Sequence, residues 1–251
     1  MNILKKLFGS KENANQQSAS ENLLETYKKV PWMTEARLET LSICLDAGFK
    51  PASSLPTEFD KQMRPSIEIA KRLNALKALI LWVMVPESNI PSERIVNFVD
   101  ENELQRFMTD EEKKILSSSR DDDECRNTIG WKFENAWPLA WYFGYHEPEI
   151  NGQMMTAEQI QDILLNYSCP FDETIENWTK NKETISEESL IKKEDLFYCL
   201  HNAVISAQLG RNTVPPDFDP VENGGAIHER RHSLTWMLSK GIDWDDTDLG
   251  T

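Results

Sequence analysis

The sequence predicts an all-α protein, a single compact multi-helix domain behind a loosely attached N-terminal tail. Three observations predict this class. Apolar residues recur at spacings of three and four over long stretches, the period of a helix face. Residues that cap helix starts precede these stretches, and glycine or proline follows them. No alternating apolar–polar run is flanked by a hairpin dipeptide, and no unit repeats at a fixed period.

Residues 1–20 read as the tail. Ile3, Leu4, Leu7 and Phe8 are interrupted by Lys5 and Lys6, so they form no signal-peptide core. They read as a frayed terminus, with a short amphipathic tag for a partner or membrane surface as the alternative. Residues 10–20 are polar and featureless, a linker. The helical domain then runs over 21–251, as eight to ten helices. The clearest begins at Pro65, continues through Ile69, Leu73, Leu76, Ile80 and Val83, and stops at Pro86. Glu68 and Arg72 stand four apart in the order that suits a surface ion pair. Thr109 with Glu112, and Thr156 with Gln159, have capping-box spacing and open short helices. Asp121, Asp122, Asp123 and Glu124 suit a helix start, where the dipole favours negative charge. A long helix is expected from about Glu187 to Leu209, with Gly210 as its stop, and another from about Ala226 to Lys240, with Gly241 beyond it.

Composition narrows the function. With 39% hydrophobic and 27% charged residues, the chain can bury a core and keep a wet surface. The 42 acidic residues against 27 basic ones set a formal net charge of −15, which repels phosphate backbones. Nucleic-acid binding is therefore not expected, and a basic protein partner is the partner that the charge would suit. No run of 18 apolar residues exists, so no membrane span is expected. Cys44, Cys125, Cys169 and Cys199 form no CxxC pair and read as reduced, mostly buried thiols of a cytoplasmic protein.

Four segments could carry chemistry. His228-Glu229-Arg230-Arg231-His232 spells HExxH, in which two imidazoles one turn apart could hold zinc and the carboxylate between them could activate a bound water. Two arginines at the variable positions oppose a dication, and Thr235 and Leu238 stand where a metzincin would place glycine and a third histidine. On the same helix Ile227, Leu234 and Leu238 fall on one face, and Glu229, His232 and Trp236 on the opposite one. The second segment is Trp131–Phe143. There Trp137 and Trp141 share a face and Glu134 lies one turn before Trp137. A carboxylate beside indoles would be desolvated and could suit proton transfer; the plainer reading is an ion pair with an arginine at a helix contact. Pro138 should bend this helix near Glu134. The third is His201, inside the apolar stripe of Phe197, Leu200 and Val204, which suits a hydrogen-bonded core histidine. The fourth is the tail Asp243-Trp244-Asp245-Asp246-Thr247-Asp248, which lacks the glycine and the terminal glutamate of a calcium loop. Its aspartates could meet Arg230 or Arg231. No phosphate loop, nucleophile elbow or basic-aromatic patch is present.

Several of these residues also form a pattern: Arg64-Pro65, Glu68-Ile69-Ala70 and Arg72-Leu73; Trp131-Lys132 with Glu134 and Trp141; Asp195-Leu196 leading to Leu200-His201; Glu229-Arg230 with Leu234 and Trp236; and Trp244-Asp245-Asp246. From about residue 34 onward the chain resembles the bacterial family catalogued as domain of unknown function 4272. The resemblance implies a helical, cytoplasmic bacterial protein. It implies no activity, and its motif begins at Glu229, one residue after His228.

Three functional readings follow. The composition favours a non-catalytic binding or interaction protein, with no cofactor. The first alternative is a zinc-dependent hydrolase using His228, Glu229 and His232. The second is a small-ligand pocket or enzyme in which Trp131, Glu134, Trp141, His201, Arg230, Trp236, Trp244 and Asp245 supply the binding groups.

Overall fold

The structure is a computed structural model that describes residues 20–57, 61–120 and 123–251, with the side chains of 123–128 left out. Residues 1–19, Asp121, Asp122 and the Cys125 side chain lie outside it. The described residues form ten α-helices: α1 (20–27), α2 (Glu35–Asp46), α3 (Ser66–Met84), α4 (Ser92–Glu101), α5 (Asp110–Ser117), α6 (Asp123–Tyr142), α7 (Ala157–Asn166), α8 (Ile175–Lys180), α9 (Glu187–Gln208) and α10 (Glu222–Met237). A 3-10 turn (Leu104–Phe107) precedes α5, and the described residues hold no strand. One parallel bridge joins Gln62 to Ser239.

Local chemistry sets most helix starts. Side chains of Thr34, Thr109, Thr156, Thr174 and Ser186 accept backbone N–H groups of α2, α5, α7, α8 and α9. Both expected capping boxes form. Pro65 stands just outside α3 with extended backbone (ψ 140°), one residue before the first helical position. Helix α10 differs more from expectation, since it starts at Glu222, four residues early. Asp219 Oδ1 accepts the N–H groups of Val221 (2.7 Å) and Glu222 (2.9 Å) and starts it there. Gly224 and Gly225 then lie inside the helix despite their poor propensity. The reason is proximity: a Cβ on Gly224 would stand 2.7 Å from Val204 of α9, and one on Gly225 would stand 2.4 Å from the Trp131 ring of α6.

The long helices pack in the order α2, α9, α10, α6, α3. Helices α4, α5, α8 and the 3-10 turn cover the far side of α3, and α7 lies against α6. Helix α3 is therefore enclosed all round, not along one stripe. Every residue from Ile69 to Val83 except Lys71 is buried. Its polar residues are satisfied internally: Asn74 donates to the Ala70 carbonyl (2.8 Å) and accepts the Cys169 N–H (2.9 Å), and Lys77 donates to the Cys169 carbonyl. Burial pulls the Lys77 ammonium down to about 8.

The expected Glu68–Arg72 surface pair does not form. Glu68 pairs with Arg64 (3.0 Å), one turn the other way. Arg72 points inward between α3 and α5, where Glu112 takes it at 2.5 and 2.9 Å. Spacing along α3 allowed either pairing, and the arrival of α5 over Arg72 decided between them.

Candidate functional site

Glu134 and Arg230 meet across the α6–α10 contact, both fully buried. Arg230 Nε donates to Glu134 Oε2 (2.7 Å), Nη1 to the Glu149 carbonyl (2.6 Å), and Nη2 to the Gln153 carbonyl. Glu134 Oε1 accepts the Met155 N–H (2.7 Å), and the guanidinium lies 4.6 Å over the Trp137 ring. Burial raises the Glu134 carboxyl above its ordinary range, against the pull of Arg230. Both side chains are thus spent pinning the 149–155 connection to two helices. The tail aspartates do not reach Arg230, contrary to one expectation; its partners come from α6 and this connection.

His228 and His232 reach different neighbours. Arg231 Nη1 donates to His201 Nδ1 (2.5 Å). A guanidinium can only donate, so His201 carries its proton on Nε2 and passes that N–H to His228 Nδ1 (3.2 Å). His232 Nε2 donates to the Trp244 carbonyl (2.9 Å), and Glu229 Oε2 accepts from Asn135 Nδ2 (2.8 Å). The rings of His228 and His232 lie 6.5 Å apart. No group of three His, Cys, Asp or Glu side chains among the described residues is placed to hold a metal ion. Burial, then Arg231 and His228, pull His201 down to about 3. Burial pulls His232 down to about 4, with Arg72, His228 and Lys132 adding to it against the Trp244 hydrogen bond. Arg231 also donates to the Leu249 (2.8 Å) and Gly250 (3.1 Å) carbonyls, so it holds the tail by its backbone and not by an aspartate.

The tail builds the third cluster. After α10 the chain turns back along Gln62–Arg64, and Arg64 fastens it by donating to the carbonyls of Trp236 (2.8 Å), Ser239 (2.8 Å) and Ile242. Trp244 stacks on His232, with centroids 4.2 Å apart, and meets Trp236 at 5.4 Å. Arg72 lies 3.8 Å from the Trp244 ring centre, and Arg64 lies 4.1 Å from that of Trp236. A cavity of about 420 Å³ opens here between the tail, α3, the 3-10 turn and the start of α5. Arg64, Arg72, Trp236, Trp244 and Asp245 line it, with Asp243, Asp246, Arg106, Asp110 and Lys113 around them. Behind it Glu112 serves Arg72 and also Lys132 (2.8 Å). Burial pushes the Glu112 carboxyl up, but these two cations prevail and hold it at about 2.

The sequence-derived candidates therefore separate. Trp236, Trp244 and Asp245 line one cavity; Glu134 and Arg230 form an internal clamp; His201 belongs to the imidazole row. Trp141 is a core residue, and Trp131, 38% exposed, covers Gly225. Sequence reasoning missed Arg64, Arg72, Glu112 and Lys132 as site residues. The available signal was the clustering of Arg64, Arg72 and Trp244 within the pattern shared with the family, since no helical period marks an inward arginine.

Comparison with known proteins agrees with this pattern. The family described as a domain of unknown function (DUF4272) matches residues 33–247, which span the α2–α10 core and the Trp244 tail. No curated protein and no solved structure matches the chain. With most of its length covered by that one match, the chain belongs to the DUF4272 family.

Proposed function

We propose that this chain is a non-catalytic binding protein whose recognition site is the tail cavity. One observation carries the reading. The groups suited to acid–base or metal chemistry, Glu134, Glu229, His201 and His232, are each held by a partner inside the protein. The tail cavity, by contrast, gathers aromatic and charged side chains from three distant segments around open space. A basic protein partner is the second reading. The −15 net charge supports it, as do the Asp243, Asp245 and Asp246 side chains, which are exposed and make no hydrogen bond or ion pair among the described residues.

No helix among the described residues is long and apolar enough to cross a membrane. We place the chain in the cytoplasm, on the strength of Cys44, Cys169 and Cys199, which are free and buried. The test is a screen of small charged molecules, with polylysine alongside, against the full chain by thermal shift. A ligand of this site raises the unfolding midpoint of the wild type, is recovered unchanged, and loses its effect in Asp245→Asn. Hits that are unaffected by that substitution, or that are chemically converted, would overturn the reading.

A further inference from the structure

We infer that a second cavity, where the α2–α3, α6–α7 and α9–α10 connections meet, binds a small organic ammonium with a compact apolar body. It stands apart from the tail cavity, with which it shares no lining residue.

The cavity measures about 310 Å³, the scale of a small-molecule site. Its walls are Ala47 just after α2, Ile150 in the connection after α6, and Pro215 with Phe218 ahead of α10. Ala47, Ile150 and Pro215 are half-buried, so part of each side chain is open to a ligand. Phe218 is braced by Phe49, edge to face at 5.1 Å. Two glycines bring these walls together. A Cβ on Gly48 (φ +86°) would stand 3.1 Å from Pro215 Cγ, and one on Gly152 (φ +71°) would stand 2.7 Å from the Phe218 ring. The Lys50 N–H donates to the Thr213 carbonyl (2.8 Å), and Asn223 Nδ2 donates to the Gly152 carbonyl (3.3 Å). The three connections are therefore tied to one another in the free protein, which lowers the ordering cost of binding.

The polar groups left open are acceptors. Asp217 and Gln153 line the cavity, are exposed, and have side chains that make no hydrogen bond or ion pair among the described residues. The two other polar lining residues are engaged. Asn151 donates to Glu149 Oε2 (2.7 Å) and accepts the Gln153 N–H (3.0 Å). Asn223 donates to Gly152 and accepts the Asp219 N–H (2.9 Å). No lysine or arginine lines the cavity, and Lys50 nearby donates to the Asn212 carbonyl (3.4 Å). A carboxylate and an amide carbonyl thus face open space beside apolar walls, with no cation to balance them. Their complement is an N⁺–H donor carried on an apolar body. The net charge of −15 adds a field of the same sign.

The test is calorimetric titration of the full chain with four probes built on one shape. Phenethylamine carries the ammonium and the apolar body. The body is uncharged in 2-phenylethanol and negative in phenylacetate, and methylamine is the ammonium without it. Phenethylamine binds one site per chain, roughly tenfold or more tighter than phenylacetate or methylamine. Its margin over 2-phenylethanol is about threefold, the size a surface ion pair supplies. Asp217→Asn, on an exposed residue, removes that margin. Ala47→Leu fills the cavity from its edge and weakens phenethylamine and 2-phenylethanol alike. Asp245→Asn, at the tail cavity, changes nothing. In the wild type the Gln153 side-chain amide resonances shift on saturation with phenethylamine. No binding of phenethylamine at about 10 mM, well above the range of specific affinities, overturns the assignment. So does a margin over 2-phenylethanol that is absent from the wild type or survives Asp217→Asn. Binding that ignores Ala47→Leu, or leaves the Gln153 resonances in place, overturns it as well. Should Ala47→Leu not fold, the Asp217→Asn margin and the Gln153 resonances still decide. Weakening by Asp245→Asn would put the ligand in the tail cavity and remove this site.

Discussion

His201 and His232 are neutral in the folded protein and take up protons when it unfolds in mild acid. Their folded values, about 3 and about 4, both lie below the ordinary 6.5. Between those limits the unfolded chain binds more protons than the folded one, so stability falls as pH falls. The contribution is fully present above pH 6.5 and is lost progressively toward the folded values. At about 1.4 kcal/mol per pH unit for each group, the two together cost about 4 kcal/mol between pH 7 and pH 5. That is a large share of the roughly 5–15 kcal/mol that holds a domain folded. Glu112, held at about 2, adds only a few tenths of a kcal/mol to the loss, at the acid end of this window. Glu134, raised by burial, opposes the loss. Urea unfolding followed by tryptophan fluorescence at pH 7 and pH 5 measures the change. His201→Asn keeps an acceptor for Arg231 and removes one titrating group, so about half of the pH dependence goes with it. Equal stabilities at the two pH values, or a variant with the full wild-type dependence, would refute the assignment of neutral buried imidazoles.

Two other perturbations test the interior. Glu134→Leu leaves the Arg230 guanidinium buried without its carboxylate and is expected to cost about 3–5 kcal/mol in urea unfolding, while Glu134→Leu with Arg230→Met recovers much of that; a double variant no more stable than the single one contradicts it. Gly152 has φ +71°, and a Cβ there would stand 2.7 Å from Asn223 Cβ and 2.8 Å from the Asn223 carbonyl oxygen. Gly152→Ala is therefore expected to destabilise by about 1–3 kcal/mol through strain and overpacking, and an unchanged unfolding midpoint would show that the 149–155 connection yields freely.

Much of the fold is legible in the sequence because helices are specified locally. The Thr109–Glu112 and Thr156–Gln159 boxes, Ser186 before α9 and Gly210 after it are features of a few adjacent residues, and each appears where its chemistry requires. Where a local rule failed, a distant residue had overridden it. Gly224 and Gly225 argue against a helix until Val204 and Trp131 are placed beside them.

The site was far less legible. The helical period tells which side chains share a face, not which helix that face will meet. Trp236 and Trp244 are candidates from the sequence, but the arginines that reach them, Arg64 and Arg72, lie more than 160 residues earlier in the chain. Glu134 and Arg230 are 96 residues apart, so nothing local distinguishes an internal clamp from a catalytic pair. By itself the sequence determined the helical class, the limits of α3 and α9 to within a residue or two, the starts of α5 and α7, the acidic charge and the family. Tertiary structure alone decided which ionised groups cancel inside the core and which are left facing a cavity, because burial and ion pairing depend on contacts between residues far apart in the chain.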